Sequence, residues 1–317
     1  MRLSGDVAIS VLRMGEGLPV NRVLGLALIA SVLQAGTAGA QQQEVPPTAV
    51  DDVVVTGRSL SETANAFVTE VTRPPPGHGP ARWLGPVCVG VVNLGPTAAQ
   101  VVIDRITDVA LSLDLQPQGP GCDPNIVVIA SDDAGALATA LIAEHPKAFR
   151  PNYSGASQSR GQLEAFRTSS APVRWWNVSL PVTPDGTPAV RVAGGGGPVI
   201  EGGSLLISAV SNRMLKSFII LDIPKMQGVN FQQVGDFVAM VSLAQMNPNA
   251  DTAHFGTILN LFKDPSQTPQ MTDWDRNYLR ALYSAHLNQR QPNARLGAVG
   301  SRMVRVVRAD DRASGTD

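Results

Sequence analysis

Residues 231–246 constrain the fold most, because they form a predicted helix with almost no polar face. A helix that is apolar on nearly every side is buried on every side, so the rest of the chain must pack around it. Asn230 is the expected N-cap, and Gln233 three residues later completes a capping box. Pro248 ends the helix, because the residue before a proline avoids the helical conformation. The apolar positions are Phe231, Val234, Phe237, Val238, Met240, Val241, Leu243 and Ala244.

Two further helices are predicted after this one. An apolar stripe with the spacing i, i+3, i+4 and i+7 follows Asp251 and predicts a second helix. A third helix begins at Thr272, where Asp275 stands at the capping-box position. We therefore expect residues 230–290 to form three helices that pack on one another. The stripe of the second helix consists of Phe255, Ile258, Leu259 and Phe262.

Two segments in this helical part, TILNLFKD at 257–264 and MTDWDRNYLRALY at 271–283, carry a resemblance. They resemble the C-terminal part of a family of exported bacterial proteins of unknown function, which is related to zincin-like metallopeptidases. The resemblance extends over residues 82–290. It implies an α+β fold in which a mixed sheet is covered by helices and followed by a helical C-terminal part. In such proteins the buried helix just upstream carries the catalytic glutamate, so the resemblance places the former catalytic site on residues 231–246.

That helix departs from the zincin pattern at the point where the catalytic residues would begin. Gly235 and Asp236 stand there, and the chain has no His-Glu-x-x-His motif. Such a zinc site needs two histidines four residues apart on one helical face, with a glutamate as the base. No two of the four histidines, at positions 78, 145, 254 and 286, have that spacing. The resemblance therefore implies a degenerate zincin-like fold without this activity, and we expect neither a metal nor a cofactor.

Asp236 is the leading candidate for a functional carboxylate. One interpretation is an acid that lines the former catalytic cleft, with a raised pKa if the cleft is dry. The structural alternative is a partly solvated acid that the positive end of the helix favours. His254, in the first turn of the predicted second helix, is a candidate base. A hydrolase with a non-standard site around Asp236 and His254 is thus one hypothesis, although a lone histidine on such a helix is more often structural.

Residues 1–40 have the three parts of a secretory signal. Arg22 supplies the positive charge, VLGLALIASVL the apolar region, and a small-residue motif ends at Ala40, after which we expect cleavage. Eleven apolar residues are too few for a bilayer span, which takes about 20. The alternative is a short N-terminal membrane anchor. The translation start is Met1 or Met14. The signal predicts a protein of the periplasm or a secreted protein, without a stable membrane span.

The two cysteines, Cys88 and Cys122, are expected to form a disulfide. In an oxidising compartment an even pair is most simply a structural bridge. A loop of this length stabilises the fold by roughly 3–4 kcal/mol in the chain-entropy description. The alternative is a redox pair, which calls for closer spacing such as C-x-x-C.

Composition allows a sizeable core, because 44% of the 317 residues are hydrophobic and 16% are charged. The formal net charge of −1 gives the chain no overall attraction to nucleic acid or to an anionic membrane. We therefore expect no nucleic-acid partner. The expected partner is an envelope protein or peptide of unknown identity.

Residues 41–81 are expected to be a flexible leader that contains a short strand at 53–56 and a helix at 61–71. The sequence DDVVVTGRSL in this region also resembles the segment that opens the plug domain of TonB-dependent outer-membrane receptors. This resemblance implies a module accessory to outer-membrane transport, as an alternative to a plain strand and helix. A proline run at 74–76 marks the following linker.

Residues 82–290 are expected to form one globular α+β domain, in which helices cover a sheet that includes a parallel pair. Beyond residue 290 the apolar period stops, so residues 291–317 are expected to be a mostly disordered tail. The predicted elements of the domain before residue 230 are strands at 87–92, 125–130, 173–181, 189–192 and 215–223, and helices at 96–113 and 134–144.

Trp175 and Trp176 are adjacent in a predicted hairpin formed by 173–181 and 189–192, so they point to opposite faces of the sheet. We expect one of them in the core and the other exposed or along a groove. The leading functional hypothesis is a non-catalytic exported protein that binds a peptide or envelope component. It would do so through the former cleft or through the surface around Trp175 and Trp176.

Overall fold

The computed structural model shows a mixed four-stranded sheet with helices on both faces, which is an α+β architecture. The predicted signal peptide with its expected cleavage site after Ala40, the strand predicted at 53–56 and the glycine run at 194–197 lie outside the described residues. The residues that the structure describes are 58–75, 77–151, 158–183, 185–189 and 208–315.

Twelve regular elements make up the described part of the chain, besides short 3₁₀ turns at Ile223–Lys225 and Ile258–Asn260. The strands are β1 (Val89–Val92), β2 (Ile126–Ser131), β3 (Val173–Val182) and β4 (Ser211–Asp222). The helices are α1 (Leu60–Val71), α2 (Pro96–Ser112), α3 (Ala134–Glu144), α4 (Pro146–Phe149), α5 (Arg160–Thr168), α6 (Phe231–Leu243), α7 (Asp273–Ser284) and α8 (Pro292–Ser314).

The strands lie in the order β1-β2-β4-β3. β1 and β4 each pair with β2 in parallel, which confirms that the sheet contains parallel pairs, and β3 is antiparallel to β4. β3 runs along β4 over its whole length. The predicted hairpin with residues 189–192 begins at the end of β3, where an antiparallel bridge joins Val182 and Pro188 and the backbone N of Ala189 donates to the carbonyl oxygen of Pro181 at 2.8 Å. Residues 190–192 lie outside the described residues, so the rest of the hairpin stays a prediction.

The sheet separates two hydrophobic clusters, since successive side chains of a strand point to opposite faces. Ile126, Val128 and Ala130 of β2 face the larger cluster, which α1, α2, α6, α7 and α8 complete. Trp176 of β3 and Ile220 of β4 face the smaller one, which α3, α4 and α5 cover. The molecule is therefore layered, with the larger helical layer on the side of α6.

α6 is buried along its length, as its apolar character predicts. Every residue from Gln233 to Leu243 is buried. The predicted capping box is present: the side chain of Asn230 accepts from the backbone N of Gln233 at 3.0 Å, and the side chain of Gln233 accepts from the backbone N of Asn230 at 3.0 Å. The helix ends at Leu243, because Ala244 is already extended.

The second of the three predicted helices does not form. The apolar residues predicted for it, Phe255 to Phe262, lie in turns around the 3₁₀ segment Ile258–Asn260. Ile258 is buried, as expected for an apolar position. The side chain of Asn260 donates to the carbonyl oxygens of Thr252 and Phe255, and the carboxylate of Asp275 accepts from the backbone N of Ile258. These side chains satisfy backbone groups that a helix would have paired, so the segment is stable without helical hydrogen bonds.

α1 belongs to the folded body, contrary to the flexible leader expected for 41–81, so the folded body begins before residue 82. The helix itself is close to the predicted 61–71. Its Phe67 is fully buried and makes edge-to-face contacts with Phe255, Trp274 and Tyr278, with ring centroids 5.0, 5.8 and 5.6 Å apart. Local composition near the prolines suggested a linker, whereas these distant aromatic partners fix the helix in the core.

α8 replaces most of the disordered tail expected for residues 291–317. Val299, Met303 and Val304 are buried against the larger cluster, and α8 packs on α1 and α7. The sequence of α8 has no continuous apolar stripe, because Arg295 and Gly300 occupy two of its buried positions. The Nε of Arg295 donates to the carbonyl oxygen of Gln289 at 2.5 Å, which satisfies the buried charge in part.

The disulfide between Cys88 and Cys122 is confirmed, with the two Cα atoms 6.1 Å apart. It ties the residue just before β1 to the loop that precedes β2. Among the described residues, no helix is both long enough and apolar enough to cross a bilayer.

Candidate functional site

Trp175 and Trp176 point to opposite faces of β3, as their adjacency predicts. Trp176 is 2% exposed, and its Nε1 donates to the carbonyl oxygen of Phe149 at 2.8 Å, so it is a core residue of the smaller cluster. Trp175 is half-buried on the other face, and its Nε1 donates to the carbonyl oxygen of Met246 at 3.2 Å. The free part of its ring faces a groove.

This groove has a volume of about 300 Å³ and lies where the start of β3, α6 and the loop after α6 meet. Its walls are mostly apolar, with a few polar groups at the rim, which is typical of ligand sites in proteins. We call it the Trp175 groove. It is lined by Ala171, Pro172, Val173, Trp175, Phe237, Asn247, Pro248, Ala250, Thr252, Leu259, Phe262 and Lys263.

A row of three aromatic rings supports the wall of the groove. The ring of Phe237, from α6, makes an edge-to-face contact with Trp175 at 5.8 Å and another with Phe262 at 5.1 Å. Such contacts add to the area that the rings bury and fix their orientation. Because Phe237 is 4% exposed in a buried helix, the groove rests on the core.

Hydrogen bonds brace the loop that forms the rim. The side-chain oxygen of Asn247 accepts from Arg73 at 2.9 Å, and its amide donates to the carbonyl oxygen of Glu70 at 3.2 Å. The carboxylate of Glu70 accepts from the backbone N of Asp251 at 2.7 Å. The C-terminal end of α1 therefore holds the loop in place, and the groove is preformed.

Lys263 supplies the cation of the rim. Its side chain is 57% exposed, and its Nζ lies 3.9 Å from the carboxylate of Asp251, which is itself 71% exposed. A pair this long and this exposed contributes little to stability. The ammonium group is therefore accessible to an anionic group of a ligand in the groove.

Asp236 does not line the Trp175 groove. Its side chain is 1% exposed and pairs with Arg105 of α2, whose Nε and Nη2 lie 2.7 and 2.5 Å from Oδ1. Oδ2 accepts from the backbone N of Met271 at 2.7 Å. The expectation of a partly solvated carboxylate at the helix end is wrong, because the group is buried and paired. Both oxygens have partners, so the structure gives this carboxylate a role in packing α6 against α2.

His254 lies in the loop before the 3₁₀ turn and is exposed. No hydrogen bond or ion pair joins His254 to Asp236 among the described residues. His78 is half-buried, while His145 and His286 are exposed. Nowhere in the described ranges do three histidine, cysteine or acidic side chains gather as a metal site would require.

The carboxylate of Asp275 has more partners than the capping-box pattern predicts. Besides its predicted bond to Thr272, its carboxylate accepts from the hydroxyl of Thr257 at 2.5 Å and the backbone N of Ile258 at 2.7 Å. Complete burial raises the pKa of Asp275 above the usual range, against the effect of these hydrogen bonds. The residue joins the start of α7 to the loop beside the groove.

Sequence reasoning missed most of the groove apart from Trp175. The sequence pattern places Phe262 and Leu259 on a helical stripe and Phe237 in a uniformly buried helix, and it gives Lys263 no role. The distance in sequence between β3 and this loop explains the omission, since no local pattern connects residues 175 and 262. The one signal in the sequence is the pair of adjacent tryptophans, whose side chains point to opposite faces of β3.

No protein-family model, curated protein or solved structure matches the chain. The comparisons therefore give the zincin-like resemblance no support, and function has to be argued from the groove and the residues around it.

Proposed function

We propose that the protein is a non-catalytic binding protein that holds a peptide or another envelope component in the Trp175 groove. The observation that carries the proposal is the apolar groove itself, lined by Trp175, Leu259 and Phe262 and braced from α1 and α6. A preformed site costs little ordering on binding, so its apolar area is available for affinity. Lys263 at the rim favours a ligand with a nearby acidic group.

The proposal of a non-catalytic role rests on how the candidate groups are used. Asp236 is occupied by Arg105 and by the backbone of Met271, and His254 stands apart from it on the surface. General acid-base chemistry needs a group that reaches the reacting atom with a free lone pair or proton. No observation favours the rival hydrolase around Asp236 and His254.

A peptide array tests the groove. The full chain is applied to short peptides that combine aromatic, aliphatic, proline and acidic residues, and those that bind are measured in solution. Ala250→Phe fills the groove without removing a core side chain and should weaken binding by about tenfold or more. Ala253→Phe, on an exposed residue of the same loop outside the groove, is the matched control and should leave binding unchanged.

Two results would reject the groove. One is an array on which no peptide binds above background, and the other is equal binding by the Ala250→Phe and wild-type proteins. Metal analysis of the purified protein addresses the rival enzyme, because a stoichiometric zinc content would revive a hydrolase. We expect zinc far below one atom per chain.

We also propose that the protein is exported to the periplasm or secreted, and that its fold is a degenerate relative of the zincin-like domains. Residues 1–40 support export. The segments at 257–264 and 271–283 support the relationship, and they contact α6 through Phe262 and Met271 respectively. Fractionation of cells and mass measurement of the mature N-terminus test export. The expected new N-terminus is Gln41, and an uncleaved cytoplasmic chain would contradict it.

A further inference from the structure

The last part of α8 projects from the folded body. Val304 is the last buried residue of the helix, and residues 308–315 are all exposed. An ion pair of 2.8 Å between Asp310 and Arg280 of α7 ties this part to its neighbour. Because this end of α8 is exposed on several sides, a partner would bind to its surface and not in a cavity.

Three arginines occupy one side of this projecting end. Arg305, Arg308 and Arg312 are separated by three and then four residues, which places them on one helical face. They extend over about 10 Å of the helix axis, given the rise of about 1.5 Å per residue. All three are exposed. We call them the arginine face.

The arginine face is not neutralised within the described part of the chain, where none of its members forms an ion pair. Arg312 donates from Nε to the carbonyl oxygen of Arg308 at 3.1 Å, and Asp310 is taken up by Arg280. Like charges three and four residues apart destabilise a helix slightly. Of the three, only Arg312 stands in the last turn of α8, where the helix dipole favours a cation. An external anion would offset the repulsion among the three.

We propose that the arginine face docks the protein peripherally on an anionic phospholipid bilayer. A guanidinium group can donate two parallel hydrogen bonds to phosphate oxygens, and it is more weakly hydrated than an ammonium group. Each arginine near an anionic bilayer strengthens binding by about fivefold, so three give on the order of 100-fold. A straight row on a projecting helix end matches a flat layer of headgroups.

A membrane fits this geometry better than nucleic acid does. α8 carries five arginines and two aspartates, yet the whole chain has a net charge of −1, so the remaining residues are net acidic. A polyanion that follows the protein surface would meet those acids, whereas a flat bilayer meets the projecting end first. Screening over a Debye length of about 8 Å weakens repulsion from the acids behind it.

Co-sedimentation of residues 41–317 with phosphatidylcholine vesicles, with and without phosphatidylglycerol, tests the proposal. This chain contains the whole folded unit and lacks the apolar segment of residues 1–40, which would bind both vesicle types. We expect binding that requires phosphatidylglycerol and weakens as salt rises. Replacing all three members of the arginine face by glutamine should lower the partition coefficient by about tenfold or more.

The matched control removes the same charge elsewhere, through Arg58→Gln, Lys147→Gln and Arg160→Gln, all at exposed positions. It should bind like the wild type, and replacing the arginine face by lysine should retain most of the binding because the charge remains. Equal binding to both vesicle types, unchanged binding by the glutamine variant, or an equal loss in the control would overturn the proposal. So would tighter binding of duplex DNA than of vesicles, lost in the same glutamine variant.

Discussion

Asp236 is a charged group in the middle of an apolar helix, and its environment decides what it does there. With Arg105 on one oxygen and the backbone of Met271 on the other, it joins α2, α6 and the segment before α7. Taking a carboxylate out of water is costly, and the attraction of a close guanidinium offsets that cost only while both partners are present. The residue therefore matters for stability whether or not the protein has an activity.

Asp236→Ala should lower the free energy of unfolding by about 3–5 kcal/mol, because it leaves Arg105 without its partner in a largely buried place. Urea denaturation of the two proteins measures the difference. Asp108→Ala, on an exposed acid of α2, is the control and should change stability by less than about 0.5 kcal/mol. A loss for Asp236→Ala as small as that of the control would show that the carboxylate is not held by this pair.

Tyr278 gives the protein a sensitivity to high pH. Complete burial raises the pKa of its phenol to about 12, and its hydroxyl lies 3.0 Å from that of Thr72. The folded state keeps the proton that the unfolded chain loses near pH 10, so this stability is fully present below pH 10. It is lost as the pH rises from about 10 to about 12.

We expect the free energy of unfolding of the wild type to fall across this window more steeply than that of Tyr278→Phe. The difference in slope should approach about 1.4 kcal/mol for each pH unit, the value for one proton. Urea denaturation at pH 9, 10 and 11 measures both slopes. Parallel slopes would mean that the phenol ionises in the folded state as easily as in the unfolded chain.

At the scale of single residues, the sequence predicted what depends on near neighbours. The capping boxes at Asn230 and Thr272 follow from spacings of three residues, and the bridge from Cys88 follows from there being two cysteines. The partners of Asp236 are 131 and 35 residues away, and no local rule selects them. The apolar pattern predicts that the helix around Asp236 is buried, but it does not predict the ion pair with Arg105.

α8 shows how an element is missed when its inner face is not apolar throughout. Gly300 lies where α8 crosses α1, and a Cβ there would come within 2.1 Å of the side-chain oxygen of Asn65 and 3.3 Å of its Cα. Close approach of the two backbones needs a glycine at this point. The sequence pattern instead indicated a helix breaker, since glycine is unfavourable in a helix interior.

Gly300→Ala should therefore lower the free energy of unfolding by about 1–3 kcal/mol, because α1 and α8 must separate to admit the methyl group. Gly297→Ala is the matched control, one turn earlier on the exposed side, with open space around an added Cβ. It should raise stability by about 0.5–1 kcal/mol through helix propensity alone. Thermal or urea denaturation measures the change in stability of each variant. Equal changes of the same sign would contradict the packing of α8 on α1.

The exposed charges of α8 are also not predicted by the composition of the chain. A net charge of −1 for the chain led to the expectation of no attraction to an anionic membrane. That average hides a helix whose exposed end has three arginines on one face. Because the position of a charge depends on which face a helix turns outward, composition alone does not predict a local surface of this kind.

At the scale of the whole molecule, the sequence predicted the class of fold and the buried place of α6. The order of strands and helices between residues 82 and 230 is nearly that of the structure, since each of these elements has a strong local pattern. The boundaries of the folded unit were wrong at both ends. α1 and α8 are stabilised by each other and by α7, and contacts between the two ends of a chain leave no trace in either local sequence.

The two interpretations of the C-terminal part differ most in what truncation should do. A disordered tail can be removed without consequence, whereas α8 packs on α1 and α7 and contributes Val299, Met303 and Val304 to the larger cluster. Ending the chain after Arg290 should expose this cluster and abolish cooperative thermal unfolding. Ending it after Arg305 keeps every buried residue of α8 and should lower the melting temperature by no more than about 4 °C.

Calorimetry or circular dichroism of the two truncated chains separates the possibilities. If the shorter chain melts cooperatively near the wild-type temperature, α8 does not complete the core, and the projecting arginine face has no fixed place on the molecule. If both chains lose cooperative unfolding, the exposed end contributes to folding, and its arginines cannot be regarded as free for a partner. The expected result, loss in the shorter chain alone, divides α8 into a part that holds the fold together and a part that faces outward.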